Sequence, residues 1–122
     1  MAQSVPALLE QFIRLYAPDS LERWRTLFLP GFAAAATNAD GSITTWTLEQ
    51  FYERQRALFA SGKPIREVLH NTETTHDGRL ACVRSEFVWT DGDVKRPGRL
   101  MMLIAAEHGE LKIQALTFSY AG

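Results

Sequence analysis

Glycine-bearing turns punctuate the second half of this chain at Asp77-Gly78, Asp91-Gly92 and His108-Gly109, while helix-type spacing is confined to the first half. Runs of strand joined by turns this short must return antiparallel, because a parallel return needs a long crossover. The order predicts an α+β fold, with helices first and then a curled antiparallel meander that carries them on one face. Such a layout makes a cup. A cup can hold a small molecule, and the order of elements does not say which one.

The chain has 122 residues, which suits one domain spanning 1–122. Hydrophobic residues at 46% and charged residues at 22% exclude a disordered chain. The formal net charge is −1, which lacks the concentrated basic surface that nucleic acid needs. The one basic cluster, Lys95, Arg96 and Arg99, is flanked by Asp91 and Asp93 and reads as a solvated strand end. A single cysteine, Cys82, excludes an internal disulfide, and no Cys/His spacing suits zinc. Residues 1–6 do not resemble a signal peptide, and the longest apolar run, 100–106, is too short to span a bilayer. The expectation is a cytoplasmic protein with no membrane contact, metal or cofactor.

Ser4 can cap a first helix whose apolar face is Val5, Leu8, Leu9, Phe12, Ile13 and Tyr16. Ala17-Pro18 stops it. Asp19 and Glu22 have capping-box spacing and predict a second helix, with Leu21, Trp24, Leu27 and Phe28 as its buried stripe and Leu29-Pro30-Gly31 as its end. Segments 32–38 and 42–46 flank Asp40-Gly41 as a hairpin, despite the alanine run 33–36. Thr47 and Gln50 open a third helix, stopped by Ser61-Gly62-Lys63-Pro64. Four strands follow near 65–76, 79–90, 94–107 and 110–120, the third interrupted by a bulge or edge segment at Pro97-Gly98.

Alternation sorts the faces. Ala81, Val83, Ser85, Phe87 and Trp89 should face the helices, and Cys82, Arg84, Glu86 and Val88 should face away. Residues 100–106 are apolar on both faces, and the last strand carries Leu111, Ile113 and Ala115 on one parity and Leu116, Phe118 and Tyr120 on the other. A sheet with one wet face should alternate there. The sheet back is therefore expected to be covered by a second copy of the chain, with Arg84, Glu86 and Gln114 as polar contacts around the patch.

The order helix, helix, hairpin, helix and four-strand meander resembles the nuclear transport factor two-like superfamily, which includes ketosteroid isomerases and SnoaL-like cyclases. The likeness is carried by segment 24–32 (WRTLFLPGF), the capped helix 47–59, and segment 70–81 with its Asp77-Gly78 turn. It covers nearly the whole chain and implies a cone-shaped fold, without fixing an activity. The isomerase branch would imply an Asp base in the first hairpin, a Tyr on the first helix and a protonated Asp on a late strand. Those places fall near Ala36, near Phe12 with Tyr16 one turn away, and near Met101 or Met102. Methyl groups and an unsubstituted ring transfer no protons, so the isomerase set is absent.

His70 shares parity with Val68, Thr72, Thr74 and His76. If that face points into the cup, His70 is the leading candidate for a general base or ligand partner, with Tyr16 second. Asn71 and Glu73 have the opposite parity and join it only through a bulge. The aromatic set of Phe12, Tyr16, Trp24, Phe28, Phe32, Trp46, Tyr52 and Trp89, with Ser85 and Met102, is expected to line the cup. The same rings could simply fill a core. The chain thus reads as a binder of a small hydrophobic or partly polar molecule. The alternatives are a cofactor-independent isomerase, cyclase or dehydratase, and a non-catalytic dimerisation or protein-interaction module.

Overall fold

A computed structural model describes residues 4–121. Its elements run α1 (Val5–Arg14), α2 (Leu21–Arg25), β1 (Phe28–Thr37), β2 (Ile43–Thr47), α3 (Leu48–Ala60), β3 (Ile65–Asp77), β4 (Leu80–Asp91), β5 (Val94–Glu107) and β6 (Glu110–Tyr120). The helices pack on one face of a curved six-stranded sheet ordered β2-β1-β6-β5-β4-β3. The sheet is mixed rather than wholly antiparallel, because β1 pairs parallel to β6. More than half of the chain, residues 38–109, separates those two strands, so the long crossover that parallel pairing needs is present. No helix among the described residues is long and apolar enough to cross a membrane.

The helix ends show which local signals prevail. Ser4 caps α1 by accepting from the Ala7 N–H at 3.2 Å. At α3 both halves of the capping box form: Thr47 accepts from the Gln50 N–H at 3.2 Å and Gln50 accepts from the Thr47 N–H at 3.0 Å. The Asp19–Glu22 box does not form. Ser20 stands at the N-cap of α2 without a side-chain cap, and its hydroxyl donates instead to the Leu15 carbonyl at 2.9 Å. The helix is also shorter than its apolar stripe suggests. Phe28 belongs to β1, opposite Ile113, and the Leu27 carbonyl accepts from the Ile113 N–H at 2.8 Å. Tertiary pairing with β6 takes these residues from the helix.

The alanine run becomes strand because β1 lies between β2 and β6 and is paired on both sides. Ala34 and Ala36 point inward and are buried, and Ala33 faces out. Pro97-Gly98 forms no bulge, since β4 and β5 stay in register through Val88↔Pro97 and Phe87↔Gly98. The Pro97 carbonyl accepts from the Ala121 N–H at 2.8 Å, on the β6 side. Within a strand a residue's nitrogen and carbonyl point to the same side, so the missing N–H falls where β6 ends and costs β4–β5 no hydrogen bond.

Two bulges lie elsewhere and reassign faces. The β5–β6 register shifts between Leu103 and Ile104, leaving Gln114 unpaired opposite them. Parity therefore switches along β6, and Ile113 is buried on the same side as Leu116. Leu111 and Ile113 thus join Leu116, Phe118 and Tyr120 on the interior side, Ala115 faces out opposite Leu103, and the exposed apolar back face rests on Met101 and Leu103 of β5, each 47% exposed. The β3–β4 register shifts between His70 and Glu73, where Asn71 has a φ of 53°. Before that bulge the odd residues Ile65, Glu67 and Leu69 face the helices. After it Thr72 does so, meeting the Ser85 hydroxyl at 2.8 Å.

Candidate functional site

Between the helices and the inner sheet face lies a cavity of about 650 Å³. Its floor comes from rows of side chains that stand opposite one another on successive strands. One row is Glu67, Trp89 and Arg96. Another brings Leu69, Phe87, Gly98 and Tyr120 together. A Cβ on Gly98 would overlap the Phe87 ring and the Ser119 carbonyl, so glycine lets the Phe87 ring lie across β5. Phe12 from α1, Tyr16 from the turn just past its C-cap rather than from the helix itself, Trp24 from α2, and Phe51, Arg54, Gln55 and Leu58 from α3 close the roof. Ala36 in the β1 wall presents only a methyl group, which leaves the space open.

Aromatic rings dominate the walls. Trp46 stacks on Phe118 with centroids 6.1 Å apart and planes 6° from parallel, and Phe118 meets Tyr120 edge-on at 5.9 Å. Two guanidiniums extend that row: Arg54 lies 5.5 Å from the Trp46 centroid and Arg96 3.8 Å from that of Tyr120.

A polar relay crosses the roof. The Trp89 indole N–H donates to the Tyr16 hydroxyl at 3.1 Å, and that hydroxyl donates to Gln55 Oε1 at 2.5 Å. Among the described residues, Gln55 and Ser85 are the buried polar residues of the core. Burial pushes the Tyr16 phenol well above its usual proton affinity, so it remains a neutral donor and is no base. Beside it on the wall stands Glu67. Its carboxyl has no hydrogen-bond or ion-pair partner among the described residues, and burial raises its pKa from 4.5 to about 7. Asp91 borders the same cavity, with Oδ1 buried and unpartnered. No cluster of three or more metal-ligating side chains exists among the described residues.

Of the residues expected to line the cup, Phe12, Tyr16, Trp24, Trp46 and Trp89 do so. Phe28, Phe32, Tyr52 and Met102 are buried in the core but do not border the cavity. Ser85 is also buried away from it, bonded to Thr72 and to the His70 and Glu86 carbonyls. His70 is exposed on the opposite sheet face and does not reach the cavity. Its parity with Thr72 fails because the Asn71 bulge lies between them. The charged and amide residues of the wall, Arg54, Gln55, Glu67 and Arg96, were not legible as site residues. Glu67 carried one signal: it stands between apolar Ile65 and Leu69 on one parity. At the isomerase positions, Phe12 and Ala36 border the cavity, Met102 is buried, and Met101 faces outward.

No family model matches the chain, and no curated protein matches it significantly. Solved structures are similar over nearly its whole length. An NTF2-like protein from Cytophaga hutchinsonii is 13% identical, with a TM-score of 0.75 over 96% of this chain and 95% of the other. A provisionally assigned dehydratase of the NTF2-like family from Streptomyces avermitilis is 11% identical, with a TM-score of 0.74 over 97% and 94%. The beta subunit of a provisionally assigned aromatic-ring-hydroxylating dioxygenase from Novosphingobium aromaticivorans is 15% identical, with a TM-score of 0.76 over 97% and 87%. At these identities the likeness shows the fold alone, and that fold is the nuclear transport factor two-like cone, an α+β arrangement of three helices on a curved six-stranded sheet.

Proposed function

We propose that this protein binds a small, largely hydrophobic molecule in its cavity. The observation that carries this reading is the 650 Å³ space walled by aromatic rings and crossed by a short polar relay. Its volume lies within the range of small-molecule sites, and a few placed polar groups among apolar walls are their usual composition. Saturable quenching of tryptophan fluorescence by naphthylmethanol tests it. Ala36→Phe, which puts a ring into the space, should abolish that quenching while circular dichroism stays native. Absence of saturable binding to the unaltered protein overturns the reading.

A second reading, proton-transfer catalysis of the isomerase, cyclase or dehydratase kind, is favoured by Glu67. A carboxyl with a pKa near 7 is poised to take a proton from carbon and return it, and one structural neighbour is provisionally a dehydratase. Glu67 replaces His70 as the candidate base. The test is washout of α-protons from an aryl ketone in deuterium oxide. Exchange should be faster with the protein than without it and should fall to background in Glu67→Gln. We also retain a homodimer formed through the sheet back and a cytoplasmic location, the latter supported only by the lone thiol of Cys82.

A further inference from the structure

We infer that the cavity selects an organic anion: an apolar, ring-sized body carrying one carboxylate, gripped by Arg54 and Arg96. The inference rests on the ligand-binding reading above and adds the charge of the ligand to it.

The two arginines come from α3 and β5 and border the same cavity. Arg54 sits over Trp46 and Arg96 over Tyr120, at the two ends of the ring row that Phe118 completes. Stacking fixes the plane of a guanidinium and leaves its N–H edge free to donate. Arg14, Arg25, Arg56 and Arg84 have Glu10, Glu49, Glu53 and Glu73 as partners; Arg23, Arg66, Arg79 and Arg99 have no ion pair among the described residues but do not border the cavity either. Among the described residues neither Arg54 nor Arg96 has a carboxylate partner.

The acids of the cavity do not supply one. Glu67 stands across Trp89 from Arg96, two strands away, which is about 10 Å in a sheet. Asp91 has its Oδ1 buried without a partner. Two guanidiniums therefore face the space with unused donors. A carboxylate accepts such donors in bidentate geometry, stronger than a neutral hydrogen bond. The ring row between them offers the flat apolar surface on which the body of the ligand would lie. Glu67 opposes an anion progressively less as pH falls below about 7, because burial favours its uncharged form.

Titration of naphthoate, naphthylmethanol and naphthylmethylamine into the full chain, followed by tryptophan quenching, separates the possibilities. Naphthoate should bind at least about tenfold more tightly than the alcohol, and the amine most weakly. Arg54→Ala and Arg96→Ala should each remove most of the naphthoate advantage over the alcohol, with circular dichroism reporting an intact fold. Lys95→Ala, a neighbouring charge that does not border the cavity, should leave all three affinities unchanged. Equal binding of alcohol and naphthoate, preference for the amine, or an equal loss in Lys95→Ala overturns the inference and leaves the ligand-binding reading standing. Failure of all three probes to bind overturns both.

Discussion

Trp89 and Tyr16 join the sheet to the turn that follows the first helix through one hydrogen bond: the indole N–H of Trp89 donates to the Tyr16 hydroxyl at 3.1 Å. The two residues are 73 positions apart in sequence. The same hydroxyl donates onward to Gln55 of α3 at 2.5 Å, so one phenol in the turn after α1 ties α3 and β4 together at the cavity roof. Tyr16→Phe keeps the ring contacts with Trp24 and Phe59 but strips both partners. The buried Gln55 carbonyl and the Trp89 N–H then go unsatisfied, at a cost of about 1–3 kcal/mol. Urea unfolding should show a lower midpoint at an unchanged slope. An unchanged midpoint would mean that water replaces the hydroxyl freely.

Glu67 gives stability a pH dependence whose sign follows from its burial. Its pKa rises from 4.5 in the unfolded chain to about 7 in the folded one, so between those values the native state holds more of its proton. Stability contributed this way is fully present below about 4.5 and is lost as pH rises through about 7. The groups facing Glu67 are Tyr16 from the turn after α1 and Tyr120 from β6, with Arg54, Asp91 and Arg96 bordering the same cavity. Tyr16 and Tyr120 both keep their protons through this window, because burial raises them. Glu67→Gln removes the dependence. Relative to the unaltered protein the variant should gain up to about 3 kcal/mol at pH 8 and nothing near pH 4. Chemical denaturation at the two pH values checks this, and an equal effect at both would sink it.

Gly98 and Phe87 share a space too small for another carbon. A Cβ at Gly98 would overlap the Phe87 ring and the Ser119 carbonyl. The carbonyl is backbone and cannot step aside, so Gly98→Ala should cost about 1–3 kcal/mol and shift Phe87 toward the cavity. Gly31 in β1 is the control, because nothing lies within 4 Å of its virtual Cβ. Thermal unfolding should separate the two variants, with Gly31→Ala close to unchanged.

Local signals in the sequence located most of the fold. Ser4 and the Thr47–Gln50 pair form the caps their spacing implied, and Asp77-Gly78, Asp91-Gly92 and His108-Gly109 divide β3 to β6 within one residue of their observed ends. What alternation could not locate were the bulges. A single extra residue reverses every later face of a strand. Asn71 turns His70 outward and Thr72 inward, and the irregularity at Gln114 brings Leu111 and Ile113 to the same side as Leu116 and Phe118 while Ala115 faces out. Phe28 misled for another reason. Its spacing from Leu21 and Trp24 is helical, but pairing with Ile113 outweighs that weak local preference. The site was less legible still, because Glu67, Arg54 and Arg96 lie on three different elements, β3, α3 and β5, that border one cavity only in the folded chain.

Met101 and Leu103 carry the remaining prediction. Both stand on the outward face of β5, each 47% exposed, with Leu103 opposite Cys82 and Ala115 and Met101 opposite Arg84 and Thr117. Small Ala115 and Ala33 stand opposite each other on the neighbouring strands, so the two long side chains rise above a shallow surface, with the Arg84–Glu73 pair to one side. A two-fold axis over such a strip would set the same residues against themselves, the arrangement of an isologous dimer. Met101→Glu combined with Leu103→Glu puts like charges face to face across that axis, while neither change touches the buried Leu100, Met102 and Ile104 of the same strand. Sedimentation velocity should therefore show a dimer for the unaltered chain at micromolar concentration and a folded monomer for the double variant. A monomer in both cases would remove the second copy from the sheet back.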